Sequence, residues 1–245
     1  MLHRTTFNGR ALPRPGAFVM RRWIVTLSLL LPVAPFAQGD EGIVAVLARS
    51  QLVRLDSTAL ADPDGVRARV VQRSFDTLVR ALAIRAPAEL RVIRGETLAE
   101  TLQGRLVLAN VRLAELSEGE RLFVLAHELA HIELHHWSQT EQLYLKWVPG
   151  AVTPQQTEPI AALLGRDASG QAHRHELEAD AFALRALHAL GRDARDALGV
   201  FMHLGSSRDT PTHPGTRRRL ASLREAEAAL AGSAPPVVTA PATTE

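Results

Sequence analysis

Residues Ser117–Trp137 read SEGERLFVLAHELAHIELHHW, and the fold turns on how this stretch is built. Ser117-Glu118-Gly119-Glu120 is an S-x-x-E pattern, the reciprocal cap that satisfies the first free N–H groups of a helix. The residues that follow are apolar on every side: Leu122, Phe123, Val124, Leu125, Ala126, Leu129, Ala130 and Ile132. A helix that is apolar all round belongs inside a core rather than on its surface. The pattern predicts one helix from about Glu118 to Trp137, with its histidines at least partly buried.

Within that apolar run lies His127-Glu128-Leu129-Ala130-His131, an H-E-x-x-H motif. Four residues advance about 400° on a helix, so the two imidazoles share one face, one turn apart. That spacing lets both reach a single zinc ion at about 2.0–2.1 Å. Glu128 lies beside the same face, placed to take a proton from a metal-activated water without binding the metal. Chance supplies about 0.03 such motifs in a chain with this His and Glu content. The plain alternative is an amphipathic helix with two surface histidines. It suits so apolar a helix poorly, because an unpaired buried imidazole is costly and a metal satisfies it.

A catalytic zinc takes three protein ligands and keeps one position open. Glu176-Leu177-Glu178-Ala179-Asp180 supplies the third. Glu176 and Asp180 are i and i+4 on a predicted helix from about His173 to Leu190, so Glu176 can bind the metal while Asp180 accepts a hydrogen bond from a ligand imidazole. Glu178 points elsewhere and is expected to serve a surface pair. A metzincin site needs Gly at 134 and His at 137, where this chain has Leu134 and Trp137. A Cys-ligated site is excluded because the chain has no cysteine. His135 and His136 are expected at a solvent-facing helix end, and His173 and His175 at the surface.

Outward from this pair of motifs, residues 41–56 and 64–84 read as helices, and Leu90–Ile93 and Gly104–Val111 as strands. Residues 138–172 hold Pro149, Gly150, Pro154, Pro159, Gly165 and Gly170, and are expected to be a long connection with one short helix, a candidate lid or substrate wall. Asp193–Leu204 and Thr216–Ala231 read as helices flanking a loop at Thr210–Pro214. The class is α+β, mostly helical, with a small sheet beside the H-E-x-x-H helix. One domain is expected over 41–231, followed by a Pro/Ala/Thr-rich disordered tail at 232–245.

The five arginines of residues 1–37, with no acid among them, exceed the chain's whole formal charge of +2; without them it becomes −3. With aromatic content of only 4%, this argues against a nucleic-acid partner. Arg21-Arg22 precede an apolar run, Trp23–Ala37, that ends in small residues and contains Pro32 and Pro35. The run is shorter than the roughly 20 residues of a spanning helix and reads as a secretory leader over 1–37. Met20 is an alternative start. The expected location is the periplasm, with membrane association through an uncleaved leader as the alternative, and no stable span in the mature chain.

HELAHIELHH, then ELEAD, then THPGTRRRL together resemble the CAAX-prenyl-protease/HtpX family of gluzincin zinc metallopeptidases, most of all its soluble periplasmic branch (BepA/LoiP-like). The likeness spans about 88–225 and implies a zincin-like domain. It implies one Zn2+ per chain on His127, His131 and Glu176, with Glu128 as general base and Asp180 behind a ligand. Through T-H-P-x-x-x-x-R it brings Thr212, His213, Pro214 and Arg219 to the site. There His213 stabilises the oxyanion or fills the open metal position, and Arg219 fixes the loop or pairs with an acid. It implies a zinc-dependent endopeptidase for protein or peptide substrates such as misfolded envelope proteins, in periplasmic quality control. The strand at 105–111 would be the edge to which an extended substrate adds. Thr97–Gln103 (TLAETLQ) replaces the family's frequent Asn-Ala-Phe stretch. The spanning helices and helical-repeat tail of other members are missing, so prenyl-substrate processing is not expected. Two other readings of the motifs are a non-proteolytic zinc-binding chaperone of the same fold and an amidase acting on cell-wall peptides. The intact Glu128 argues against the first.

Overall fold

Every residue of Leu106–Asn110 is buried, the mark of a strand covered on both faces. Leu106 and Leu108 point to one side, with Ile93, Leu102 and Leu55; Val107 and Ala109 point to the other, into the main core. The computed structural model of the chain describes residues 41–232. In chain order these form helix α1 (Ile43–Asp56), the two-residue strand β1 (Ala59–Leu60), helix α2 (Val66–Ala81) and strands β2 (Glu89–Arg94), β3 (Ala99–Leu102) and β4 (Leu106–Asn110). A 3-10 turn (Val111–Glu115) leads to helices α3 (Glu118–Glu133), α4 (His136–Trp147), the short α5 (Pro154–Thr157), α6 (Ala161–Ala189), α7 (Arg195–Leu204) and α8 (Thr216–Gly232). The result is a mostly helical α+β domain with one four-stranded sheet, ordered β1-β2-β4-β3. The leader assigned to 1–37 lies outside the described residues, as does all but the first residue of the tail. Among the described residues, no helix is long and apolar enough to cross a membrane.

The central helix α3 is the axis of the domain. Its first turn carries the expected capping box, with Ser117 Oγ accepting from Glu120 N–H and Glu120 Oε2 accepting from Ser117 N–H. It is buried almost from end to end and packs on α2, α6, α7 and β3. Two close approaches set the α3–α7 crossing: a Cβ at Gly119 would overlap the Asp196 carboxylate, and one at Gly199 the Glu120 carboxylate.

The structure corrects the sequence reading in four places. First, the strand expected over 104–111 is interior: β4 pairs in parallel with β2 and antiparallel with β3, so the edge beside α3 is β3, from the Thr97–Gln103 stretch. A tight turn makes the β3–β4 hairpin. Gln103 and Gly104 both have positive φ (50° and 61°), and Arg105 N–H donates to Leu102 O. Second, the helix expected to run to Trp137 stops at Glu133. His135 adopts left-handed backbone (φ 56°, ψ 36°), and α4 leaves in a new direction. Third, residues 138–172 are largely helical rather than a long connection. Pro154 and Pro159 sit in first helical turns, where the missing N–H costs nothing. Gly165 and Gly170 lie inside the 29-residue α6. Its first turns are held by Ile160, Leu164 and Ala168 packing around Ile43, Tyr144 and Val148 of α1 and α4. Fourth, His136 and His175 are buried, not solvent-facing.

Candidate metal centre

α3 and α6 cross with the H-E-x-x-H face of one against the E-x-x-x-D face of the other. Helical spacing alone aligns each pair; the tertiary crossing brings them together. His127 Nε2 and His131 Nε2 stand 3.3 Å apart. Glu176 Oε2 is 3.5 Å from His127 Nε2, and Glu176 Oε1 is 3.6 Å from His131 Nε2. Two donors bound at about 2.0–2.1 Å to one tetrahedral zinc stand about 3.3–3.4 Å apart, so the three residues already have the spacing of a shared ion. They are the group among the described residues suited to hold a metal. The charges suit it as well. Burial would lower His127, but Asp180 and Glu176 outweigh that and hold it up at about 10. Burial would raise Glu176, yet the hydrogen bond from His127 and the nearby positive groups keep it well below the usual carboxylate range. Burial, and then His127 beside it, push His131 well below the usual imidazole range, and two imidazoles with one carboxylate form a donor set for zinc.

Behind His127, Asp180 Oδ1 accepts from Nδ1–H at 3.0 Å. Asp180 is fully buried and receives a two-pronged grip from Arg219 on α8: Nε donates to Oδ2 at 2.7 Å and Nη2 to Oδ1 at 2.5 Å. Arg219 also lies 3.7 Å from Glu176 Oε2 and 5.0 Å over the Phe201 ring. Glu128 is held from the sheet: Thr101 Oγ1 of β3 donates to Glu128 Oε2 at 2.8 Å. Burial is the main cause that pushes Glu128 up to about 7, against the lowering pull of His127 and of the Thr101 hydrogen bond. A base with its proton affinity near neutral is well matched to moving protons at pH 7. His213, in the loop before α8, places Nε2 3.6 Å from Glu176 Oε1. The loop holds that pose: Thr210 Oγ1 accepts from His213 N–H at 3.0 Å, and Thr212 Oγ1 lies 2.9 Å from His213 Nδ1.

The family model described as Peptidase family M48 matches residues 66–227, from α2 into α8. The chain belongs to peptidase family M48. No curated protein matches it. Members of this family are metalloprotease hydrolases, typically zinc-dependent, and the His127–His131–Glu176 cluster is compatible with that chemistry. α1 precedes the M48 match, and it still touches the site's surroundings. Its Gln51 Oε1 accepts from Gln103 N–H at 2.6 Å in the β3–β4 turn, and its Arg54 pairs with Glu100 at 3.1 Å. The cleft is a cavity of about 230 Å³ lined by Glu100 and Thr101 of β3, by Val200, Phe201 and Leu204 of α7, and by the three candidate ligands.

Three contributors were not legible in the sequence. Thr101 carries no motif, and its β3 edge is only four residues long. His136 and His175 read as surface residues, yet their rings stack in parallel at 4.0 Å between α4 and α6. The signal that could have exposed them was Gln103-Gly104 as a hairpin turn, and the run of histidines as a helix break.

Proposed function

We propose that this M48 chain is a zinc-dependent endopeptidase of the BepA/LoiP-like periplasmic branch, cleaving extended segments of misfolded envelope proteins. The observation that carries the reading is the 3.3–3.6 Å triangle of His127, His131 and Glu176 with Glu128 beside it. The leader pattern at 1–37 supports export. The cleft favours an extended chain: among the described residues β3 is the outer strand, paired with β4 on one side, and its Ala99, Glu100 and Thr101 line the cavity. A substrate strand adding there by backbone hydrogen bonds lies across the candidate ligands, with an apolar side chain against Val200 and Phe201.

Zinc, which His127, His131 and Glu176 would hold, would supply a Lewis acid for the scissile carbonyl and lower the pKa of a water beside it. Glu128 takes the proton from that water and delivers it to the leaving amine. Thr101 keeps the Glu128 carboxylate aimed. Asp180, clamped by Arg219, keeps the His127 proton on Nδ1 and its lone pair on Nε2. His213, with Nε2 3.6 Å from Glu176 Oε1, would serve as a donor to a developing oxyanion.

Glu128→Gln tests the assignment. Zinc content should remain at the wild-type level, while hydrolysis of an unfolded protein such as casein falls by about 10²–10⁴-fold, the range for a lost general acid–base. Undiminished hydrolysis in that variant, or in wild type after chelation, contradicts the reading.

A further inference from the structure

His131 presents Nε2 to the metal centre, so its other nitrogen faces away from it. That Nδ1 lies 2.9 Å from His136 Nδ1, and His136 Nε2 lies 3.2 Å from Glu178 Oε2. The chain of contacts therefore runs from the site, through two imidazoles, to a carboxylate whose side chain is 54% exposed at the surface. His136 itself is only 3% exposed. Its ring is sandwiched in place by His175, parallel within 4° at 4.0 Å, and His175 Nε2 is in turn 3.2 Å from Gln139 Oε1.

Hydrogen-bond chemistry gives this row a direction. An ionised carboxylate only accepts. A neutral His136 that gives its Nε2 proton to Glu178 has a lone pair left at Nδ1. That lone pair accepts the Nδ1 proton of His131, which leaves a lone pair on His131 Nε2, facing the metal position. We infer that His136, oriented by Glu178 and His175, is a positioning residue that fixes the tautomer and ring plane of the metal ligand His131. It plays the part for His131 that Asp180 plays for His127. A straight α3 would carry His136 about 140° around from His131, off its face. The left-handed turn at His135 brings it back into hydrogen-bond range.

The inference rests on the zinc site proposed above, and its test reads zinc retention rather than turnover. The zinc-loaded full chain is mixed with excess chromophoric chelator, and the rate of zinc loss is followed for wild type, His136→Leu, His136→Asn, His136→Gln and Glu178→Ala. Outer hydrogen-bond partners of metal ligands contribute about 10–100-fold in metal affinity, and His136→Leu is expected to lose zinc faster by that factor. His136→Asn sets an amide oxygen where Nδ1 stood and should restore retention to near the wild-type rate. His136→Gln reaches one bond farther, to the Nε2 place, and should not. Glu178→Ala should move the rate in the same direction as His136→Leu and by less, with no loss of fold because its side chain is half-exposed. If His136 merely fills space, the order reverses: Leu retains zinc and Asn loses it, which overturns the inference. Equal rates in wild type, His136→Leu and Glu178→Ala overturn it too. A wild-type chain that holds no zinc at all is a different result, and removes the metal-site reading itself.

Discussion

The two imidazoles of the H-E-x-x-H motif are supported from behind in opposite ways. His127 backs onto a closed charge network: Asp180 is wholly buried, gripped by Arg219, and neither reaches bulk water freely. His131 backs onto a neutral ring, His136, and the carboxylate beyond it, Glu178, is half in solvent. The difference follows depth. On the α8 side a lone carboxylate would be an uncompensated buried charge, so a guanidinium must accompany it. On the α4 side the charge can sit at the surface, because an imidazole carries its influence inward. Between them Glu128 is held by neither device but by a hydroxyl from the sheet.

If that contrast is correct, cutting the buried network costs far more than cutting the exposed one. Asp180→Ala removes both hydrogen bonds of the Arg219 guanidinium to a buried carboxylate and leaves it only the longer contact to Glu176, and urea unfolding should show a loss of about 3–5 kcal/mol. The gap should depend on pH. Burial opposes it, but Arg219 and His127 lower the Asp180 pKa in the folded chain. Its contribution is therefore present above the unfolded value of about 3.9 and is lost as pH falls toward the depressed value. Wild type and Asp180→Ala should converge in acid. A stability gap of the same size at every pH contradicts the charge network.

Thr101→Val tests the third support with an intermediate effect. It removes one hydrogen bond to a buried carboxylate, worth about 1–3 kcal/mol, so turnover should fall by about tenfold or more. The hydroxyl holds Glu128 down against its burial. Without it the base binds its proton more tightly, and the acidic limb of the activity–pH profile should move to higher pH. An unmoved limb would show that Thr101 acts only on the strand. At the small end, Glu178→Ala should change unfolding by less than about 1 kcal/mol, as exposed ion pairs do. A loss comparable to that of Asp180→Ala would erase the distinction between the two sides.

The same contrast separates what the sequence discloses from what it hides. His127, His131, Glu176 and Asp180 were legible because i, i+4 spacing on a helix is local geometry, and because α3 is apolar enough to announce its burial. The capping box at Ser117 and the stop at Gly191 (φ 66°) were legible for the same reason. His136, His175 and Thr101 were not, because each depends on where the chain turns. A single left-handed residue at 135 redirects α4, and a two-residue turn at 103–104 folds β3 back as the edge. Residues 138–172 misled in the other direction. Pro154 and Pro159 start helical turns instead of ending them, and the packing of α6 on α1 and α4 overrides two glycines that each weaken a helix by about 1 kcal/mol.

The central claim is that one cation is shared by His127, His131 and Glu176 and not by Glu128. Metal analysis of the purified chain beside His131→Ala and Glu128→Gln tests it directly. One zinc per chain in wild type and in Glu128→Gln, with loss in His131→Ala, is the result expected. Full zinc in His131→Ala, or none in wild type, would contradict it.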